Sequence, residues 1–383
     1  MRKENKNKKS FLSLLFDRLI GNRKEVDIFV EEQVQSPLRT MVKNFASNKV
    51  AMTGFVGFIL IFLFVLIAPF FFKLDLSYNE SSQINISPGY TLLKVPSSLK
   101  GNVDNIAVGA SFSIGVSKTG DLYVWGHSKI NNTVNMKQVP ANMGKIVQLS
   151  AGYDHALALN DEGKLFGWGN NRLNQAQVPE EVYDHGKIVQ VAAGYQISAV
   201  VTEDGYVVFW GNEALNDVRV KKLQQGNIQK VAFTSDAMIG LTFDGEVVYL
   251  GKQQTAYKDI PEAALSGVVD ISATAGTCAA LKEDGSIEVW GNITKGENKV
   301  PSTSSKIVAL SSGRYHYVGL TEDKSVVAWG SNYYGQSDVP KAVQGKDIET
   351  VYSGYYQNYA VTSSGDVYTW GLKGYLLGSD GLG

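Results

Sequence analysis

The side chains that could do chemistry in this sequence occur in short turns that recur about every 40 residues. They are aromatic rings, imidazoles, amides, carboxylates and a guanidinium, a combination common at recognition surfaces. The candidate ligand or partner site consists of Tyr153, Asp154, His155, Tyr195, Gln196, Arg314, Tyr315, His316, Tyr355, Tyr356 and Gln357. If the repeats close into a ring, these turns share one rim, in an arc interrupted by the first repeat. The alternative is that the His and Tyr side chains brace each repeat against the next.

The sequence shows no catalytic or metal-binding constellation. The four histidines, which include His127 and His185, have no second ligand at a metal-binding spacing. Cys278 is the only cysteine, which excludes an internal disulfide framework and a cysteine-based zinc site. It lies at an apolar repeat position, so we expect a buried core residue. Because no paired acid and base stand out, we expect a protein that is not an enzyme and needs no cofactor or metal.

Charge is unevenly distributed along the chain. Residues 1–49 hold eleven Lys and Arg against six Asp and Glu, and residues 50–72 carry no charge. Residues 74–383 carry a net charge of −7. A mildly acidic large part argues against nucleic-acid binding, which usually leaves a basic footprint.

Each of the six tryptophans is followed by glycine, and these pairs mark a repeat: Trp125, Trp168, Trp210, Trp290, Trp329 and Trp370. Leu250 stands at the midpoint of the longest interval, so the marks are 39 to 43 residues apart and define seven units. Alternating apolar residues between Asp-Gly or Glu-Gly turns predict antiparallel strands with one buried face. A Val-Pro or Ile-Pro pair about ten residues after most marks predicts a fourth, outermost strand, because proline suits a sheet edge.

The order of these strands predicts a closed ring. The last unit ends at Trp370-Gly371 without an outer strand, whereas YTLLKVP, residues 90–96, is a spare copy before the first unit. Pairing of this strand into the last sheet would remove two exposed edges. The predicted fold is an all-β seven-bladed propeller with four-stranded blades, closed by an N-terminal strand and spanning residues 90–373. Its adjacent ends suit insertion into another protein.

Residues 50–72 are a continuous apolar stretch that predicts one N-terminal transmembrane α-helix. As a helix it would be roughly 34 Å long, enough to cross a hydrocarbon core of about 30 Å. Basic residues precede it and only Lys73 follows closely, so the positive-inside rule places residues 1–49 in the cytoplasm. Residues 73–89 would then be an extracytoplasmic linker to a propeller outside the membrane.

The repeat resembles that of the regulator-of-chromosome-condensation family over residues 90–371. The shared pattern is Gly-x-x-[His/Ser/Ala]-x-x-[Ala/Gly]-[Leu/Val], then Asp/Glu-Gly, then Trp-Gly-x-Asn. This resemblance implies a seven-bladed propeller, and the Gly-His and Trp-Asp marks of WD repeats are missing. The sequence departs from the pattern at Thr234 and Thr274 for the first glycine, Lys324 for the second, and Leu250 for tryptophan.

The flanks of the predicted ring resemble the inner-membrane permease subunits of dipeptide and oligopeptide ABC transporters. The first-span motif of that family is matched by Ser36, Phe45, Asn48, Lys49, Ala51, Gly54, Ala68 and Pro69. A Leu-Gly-[Thr/Ser]-Asp-x-x-Gly segment, which follows the outside loop in that family, is matched by Leu377, Gly378, Ser379, Asp380 and Gly383. The resemblance implies that residues 374–383 resume a host permease and that the chain is truncated before the permease core.

This resemblance implies a membrane-anchored part of a peptide ABC transporter permease in the bacterial cytoplasmic membrane, with a propeller for protein or peptide recognition. The implied partners are a second permease subunit, ATP-binding subunits and a substrate-binding lipoprotein. The alternative is a free-standing membrane-tethered propeller that binds an extracellular or cell-surface ligand. A third hypothesis, an exchange factor for a small GTPase, is disfavoured by the outward topology and acidic charge.

Overall fold

The residues described by the computed structural model are 37–71, 94–212, 226–250 and 256–372 of the 383-residue chain. The chain divides into two compact units, Met1–Tyr78 and Asn79–Gly383. The whole predicted linker at 73–89 and the whole permease-like segment at 374–383 lie outside the described residues.

Within residues 37–71, the described part of the first unit, there are two α-helices, Pro37–Ser47 and Lys49–Phe71. Asn48 separates them, and its side-chain Oδ1 accepts hydrogen bonds from two backbone N–H groups of the second helix, at 3.1 and 3.2 Å, as an N-cap does. The window Lys49–Ala68 is long and apolar enough to cross a membrane, and none of it is buried in the protein. The apolar helix predicted from the sequence is therefore present.

In the described residues the second unit consists of seven antiparallel three-stranded sheets, numbered in chain order. Their first strands are β1 (Val103–Val108), β4 (Ile146–Ala151), β7 (Ile188–Ala193), β10 (Ile228–Phe233), β13 (Val268–Ala273), β16 (Ile307–Ser312) and β19 (Ile348–Ser353). Their middle strands are β2 (Phe112–Ser117), β5 (His155–Asn160), β8 (Ile197–Thr202), β11 (Met238–Thr242), β14 (Thr277–Lys282), β17 (His316–Thr321) and β20 (Gln357–Thr362). Their third strands are β3 (Leu122–Gly126), β6 (Leu165–Gly169), β9 (Val207–Gly211), β12 (Val247–Leu250), β15 (Ile287–Gly291), β18 (Val326–Gly330) and β21 (Val367–Gly371).

The hairpin between the second and third strands explains the Asp-Gly and Glu-Gly marks. In sheet 2, Gly163 has a φ of 80°, and Asn160 Oδ1 accepts hydrogen bonds from the backbone N–H groups of Glu162 (3.1 Å) and Lys164 (2.7 Å). Glycine adopts this left-handed conformation without strain. In sheet 6, Lys324 holds the same place with a φ of 67°, so this departure from the repeat keeps the turn at the cost of local strain.

The apolar core is divided among the interfaces between adjacent sheets. Seven clusters of buried residues each combine side chains from two neighbouring sheets. Between sheets 2 and 3, Leu157 and Leu159 pack with Val191 and Val200, and Val182 of the connecting segment joins them. Each sheet therefore depends on its neighbours for burial of its faces.

Five of the Trp-Gly marks attach the preceding connecting segment to their own sheet. The indole Nε1–H of Trp168 donates to the backbone carbonyl of Met136 (3.0 Å). The tryptophans of sheets 3, 5, 6 and 7 make the same bond at 3.1, 3.1, 2.7 and 3.0 Å. The following glycine is required because a Cβ on Gly169 would lie 2.7 Å from the carbonyl oxygen of Asp154. Leu250 keeps the apolar packing in sheet 4 without an indole donor.

The sheets differ from the predicted four-stranded blades, since each described sheet has three strands. Most of the Val-Pro and Ile-Pro segments instead pack at the interface between sheets. After sheet 2, Val178 packs against the cluster between sheets 2 and 3, and Pro179 precedes a 3₁₀ turn at Glu180–Tyr183. Proline lacks the N–H that a strand ladder requires, and the indole bond satisfies a carbonyl of the same segment. The proline marks therefore indicate turns.

The last sheet contacts the first through residues that precede β1. Val95 and Leu99 are buried in a cluster that includes Tyr359 of sheet 7 and several residues of sheet 1. Strands β1 and β19 also contact each other. Of the predicted closing strand, residues 90–93 lie outside the described residues, and residues 94–96 belong to no strand.

Candidate recognition site

A cavity of about 300 Å³, called the axial cavity below, lies among the first strands of all seven sheets. Adjacent first strands contact each other around the ring, so the cavity follows the ring axis. At one mouth the lining is formed by the turns after the first strands. The turn residues that line it are Tyr153, Tyr195, Ser235, Ala275, Arg314 and Tyr355.

Backbone hydrogen bonds join the turns of adjacent sheets at this mouth. The carbonyl of Tyr153 accepts from the N–H of Ala110 (3.3 Å), and that of Tyr355 accepts from Arg314 (3.1 Å). The carbonyl of Arg314 in turn accepts from Ala275 (2.9 Å). Because these bonds join backbone groups, they set the spacing of the turns independently of the side chains displayed there.

Four tyrosines and one arginine form a continuous group at this mouth, called the tyrosine arc: Tyr195, Tyr153, Tyr355, Tyr356 and Arg314. The ring centroid of Tyr153 lies 5.0 Å from that of Tyr195 and 5.3 Å from that of Tyr355. The ring of Tyr355 lies 6.3 Å from that of Tyr356. Aromatic pairs at such separations contribute about 0.5–1.5 kcal/mol each beyond area burial, so the arc holds itself in place.

The arc crosses sheet 1, where the sequence predicted an interruption. Ala110 and Ser111 hold the turn positions of sheet 1, and both are buried. Because these side chains are small, Tyr153 of sheet 2 and Tyr355 of sheet 7 reach each other. The prediction of a broken arc was wrong for this steric reason.

Arg314 lies among the rings at one end of the arc. Its guanidinium carbon is 5.3 Å from the ring centre of Tyr315 and 5.8 Å from those of Tyr355 and Tyr356. Its Nη1 donates a hydrogen bond to the hydroxyl of Tyr356. Burial raises the pKa of the Tyr355 hydroxyl, although the Arg314 charge acts in the opposite direction. The arc therefore combines neutral phenols with a fixed positive charge.

The predicted His residues and Gln357 lie beneath the mouth. His155 and His316 are fully buried: His155 Nε2 is 2.8 Å from Ser198 Oγ in sheet 3, and His316 Nε2 is 2.7 Å from Asn358 Oδ1 in sheet 7. Gln357 donates to a backbone carbonyl of sheet 1 (3.4 Å). Burial lowers the pKa of both histidines to about 4. These residues brace neighbouring sheets, as the alternative interpretation of the sequence stated.

The glycine three residues before a buried histidine is required by the packing of the ring. A Cβ on Gly313 would lie 2.0 Å from Cε1 of His316 and 2.3 Å from the carbonyl oxygen of Gly354. In sheets 4 and 5, where the middle strand has no histidine, Thr234 and Thr274 occupy this position. Sheets 1, 3 and 7 keep this glycine, as Gly109, Gly194 and Gly354, although they also lack the histidine, so the missing imidazole does not by itself explain the threonines.

Asp154 and Gln196 hold the turns to the third strands. Asp154 Oδ2 accepts a hydrogen bond from Asn170 Nδ2 (2.6 Å), and Gln196 Oε1 accepts one from Asn212 Nδ2 (2.9 Å). Burial raises the pKa of Asp154, while the bond from Asn170 lowers it. Both side chains support the turns that carry Tyr153 and Tyr195.

Two features at the cavity and its mouth were not predicted from the sequence. Lys230 lines the axial cavity and forms an ion pair with Asp270 of the next sheet. Tyr334 extends the arc, with its ring 4.9 Å from that of Tyr356. A signal for Lys230 was present, because it is the third residue of β10, where β4 and β7 carry glutamine.

Other reactive groups are placed unfavourably for chemistry. Cys278 is fully buried between sheets 4 and 5, as predicted, and burial raises the pKa of its thiol. Over the described ranges, no three His, Cys, Asp or Glu side chains are grouped so that they could hold a metal ion.

Two parts of the sequence match known families. Residues 146–175, 188–215 and 307–336 match the Regulator of chromosome condensation (RCC1) repeat. Residues 36–88 match the N-terminal TM domain of oligopeptide transport permease C. No curated protein sequence matches the chain. The permease-type match therefore precedes the repeat matches along the chain.

Solved structures share the fold at low identity. Human WBSCR16 has a TM-score of 0.54 at 19% identity, covering 68% of this chain and 87% of that one. The ectodomain of the Arabidopsis thaliana receptor kinase ACR4 has a TM-score of 0.54 at 17% identity, covering 71% and 96%. Yeast RCC1 (Prp20), bound to Kap60, has a TM-score of 0.51 at 16% identity, covering 78% and 86%. These likenesses show a β-propeller fold.

Proposed function

We propose that the chain is a membrane-anchored part of a peptide ABC transporter permease and that its propeller is an extracytoplasmic recognition module. The observation that carries this proposal is the order of the family matches. The permease-type match at 36–88 precedes the matched RCC1 repeats, the first of which begins at residue 146. In the permease family that the flanks resemble, an outside loop follows the first span, and the propeller stands in its place.

The charges flanking the long helix support this topology. Arg39, Lys43 and Lys49 lie at or before its start, and only Lys73 lies close to its end. The positive-inside rule therefore favours a cytoplasmic N-terminus and a propeller on the outer face of a bacterial cytoplasmic membrane.

The contact between the last and first sheets supports an inserted domain. The backbone N–H of Gly101 donates to the carbonyl of Gly365 (3.0 Å), which joins the two ends of the repeat array. Val95 and Leu99 fill the interface between sheets 7 and 1, as Val182 does between sheets 2 and 3. We infer that the N-terminal segment closes the ring and that a host permease tolerates the insertion because both ends leave from one place.

The tyrosine arc is the proposed docking surface for a substrate-binding lipoprotein or a peptide. Tyrosine offers a large contact area at low conformational-entropy cost, and Tyr195 is 39% exposed at the mouth. Arg314 adds a charge that is held among the rings. The proposed role is binding, with no catalytic step.

The test combines a deletion with a surface variant in cells that import a peptide through the complete transporter. Replacing residues 90–371 with a short linker should lower peptide uptake and the amount of binding protein that co-purifies. The double substitution Tyr153→Ala and Tyr195→Ala should weaken this association about ten-fold or more while the ring stays folded. Tyr183→Ala, at an exposed tyrosine outside the arc, is the matched control. Unchanged uptake and association after the deletion would refute the proposal.

A further inference from the structure

The axial cavity presents positive charge inside an acidic domain. The charged side chains that line it are Lys230 and Arg314, and no carboxylate of the described residues is part of the lining. Residues 74–383 as a whole carry a net charge of −7. Clefts lined by charge of one sign focus the electric field and raise the local concentration of the opposite ion. This distribution favours an anionic ligand.

Lys230 replaces an amide that links sheets elsewhere in the ring. At the same strand position, Gln148 and Gln190 each donate to and accept from the backbone of the next first strand, at 2.8–3.0 Å. Lys230 pairs with Asp270 of β13 instead. The Lys230 side chain is 37% exposed and lines the cavity, whereas that of Asp270 is 20% exposed and is not part of the lining. The cavity therefore meets the ammonium group, whose charge the Asp270 carboxylate partly neutralises from outside the lining.

Arg314 supplies the second cation, at the mouth. The rings of Tyr355 and Tyr356 lie on its guanidinium, which also donates to the Tyr356 hydroxyl, so its position is fixed before a ligand arrives. A guanidinium presents its N–H donors in a planar fork that matches the two oxygens of a carboxylate.

The dimensions and polar groups of the cavity suit the end of a short peptide. Lys230 and Thr234 are four residues apart along one cavity wall, or about 13 Å at 3.3 Å per residue, so Lys230 lies well inside the mouth. The volume of about 300 Å³ is at the lower end for ligand pockets. Ser311, Ser312 and Ser353 add hydroxyl groups to the lining.

We propose that the axial cavity binds the C-terminal carboxylate end of a short peptide, with Arg314 holding the carboxylate at the mouth and Lys230 contributing attraction from deeper in the cavity. This inference rests on the proposed role of the propeller in peptide recognition and names the ligand class. The tyrosine arc packs against the last peptide residues.

The test measures peptide binding to the full chain in detergent by calorimetry. The probes are N-acetyl tetra-alanine with a free C-terminus and the same peptide with a C-terminal amide, which differ in one charge. The free acid should bind at least about ten times more tightly than the amide. Arg314→Gln should bring this ratio close to one, and Lys230→Gln should reduce it several-fold. Gln148 and Gln190 show that glutamine is compatible with the strand position of Lys230.

The controls separate this inference from the transporter proposal. Arg172→Gln, at an exposed arginine outside the cavity, should leave the ratio unchanged. Equal binding of acid and amide, or competition by inorganic phosphate at the affinity of the peptide, would overturn the inference. If uptake depends on the propeller but acid and amide bind equally, the proposed function stands and this ligand is wrong. If the free acid binds more tightly than the amide but uptake does not depend on the propeller, the ligand is right and the proposed function is wrong.

Discussion

The two buried histidines should make the ring lose stability in mild acid. His155 and His316 have their pKa lowered to about 4 by burial, against an ordinary value of 6.5. The unfolded chain therefore binds protons between these values that the folded chain excludes. Stability is fully present above about pH 6.5 and is lost as the pH falls towards 4.

The size of the effect follows from the two pKa values. At pH 5, the difference between 6.5 and about 4 costs about 2 kcal/mol for each histidine, and so about 4 kcal/mol for the pair. Asp154 acts in the opposite direction, because burial raises its pKa and its protonation in acid favours the folded state. A comparison between variants that all keep Asp154 removes its contribution.

The measurement is urea unfolding of the full chain in detergent at pH 7.5 and pH 5.0, followed by tryptophan fluorescence. All six tryptophans are buried at 3–7% exposure, so their emission reports the ring. The double substitution His155→Gln and His316→Gln should remove most of the loss in the free energy of unfolding between the two pH values. Glutamine is chosen because Gln357 occupies the same position in sheet 7. His185→Gln keeps both buried imidazoles and should keep the wild-type loss. An equal loss in the double variant and the wild type would refute the reasoning.

Three further predictions concern packing. Gly313→Ala places a methyl group 2.3 Å from a backbone carbonyl oxygen and should lower the free energy of unfolding by about 3 kcal/mol in thermal or urea unfolding. Gly276→Ala is the control and should be tolerated, because the nearest atom to its methyl group would be 3.5 Å away. Equal stability of the two variants would contradict the clash at Gly313. Tyr359→Phe removes the hydroxyl of sheet 7 that accepts a hydrogen bond from Trp125 Nε1 of sheet 1 (3.2 Å). It should lower the free energy of unfolding by about 1–3 kcal/mol in the same assay. An unchanged free energy of unfolding would show that the bond is not needed. Cys278 should react with iodoacetamide only in urea, because its thiol is fully buried; labelling of the folded chain would contradict this.

The sequence was sufficient for features that depend on neighbours along the chain. The seven units, their hairpin turns and the long apolar helix were predicted from spacing and hydrophobic alternation, because strand pleat and turn φ are local properties. The fourth strand was not predicted correctly. Val178-Pro179 has the composition of an edge strand, but the segment packs at the interface between sheets 2 and 3. The sequence alone does not show that these two sheets form an interface there.

The candidate site shows the same division. The turn after each first strand was identified from the sequence, and so were Tyr153, Tyr195, Arg314 and Tyr355. The sequence could not show that the His155 side chain points into the core beneath these residues. The glycine three residues before it is expected whether the imidazole points inward or outward. Lys230 was missed because its significance depends on what fills the equivalent position in the other strands around the axis.

The sequence by itself determined the repeat, the helix and the chemical types displayed at the turns, since each is encoded within about 40 neighbouring residues. Only the tertiary structure decided which of those residues act together. Tyr153 and Tyr355 are 202 positions apart and touch because the last sheet meets the first and because Ala110 between them is small. Lys230 and Arg314 belong to different sheets and line one cavity because the first strands of all seven sheets surround it. Contacts between the first and last sheets depend on the geometry of all seven sheets together, which no local pattern records.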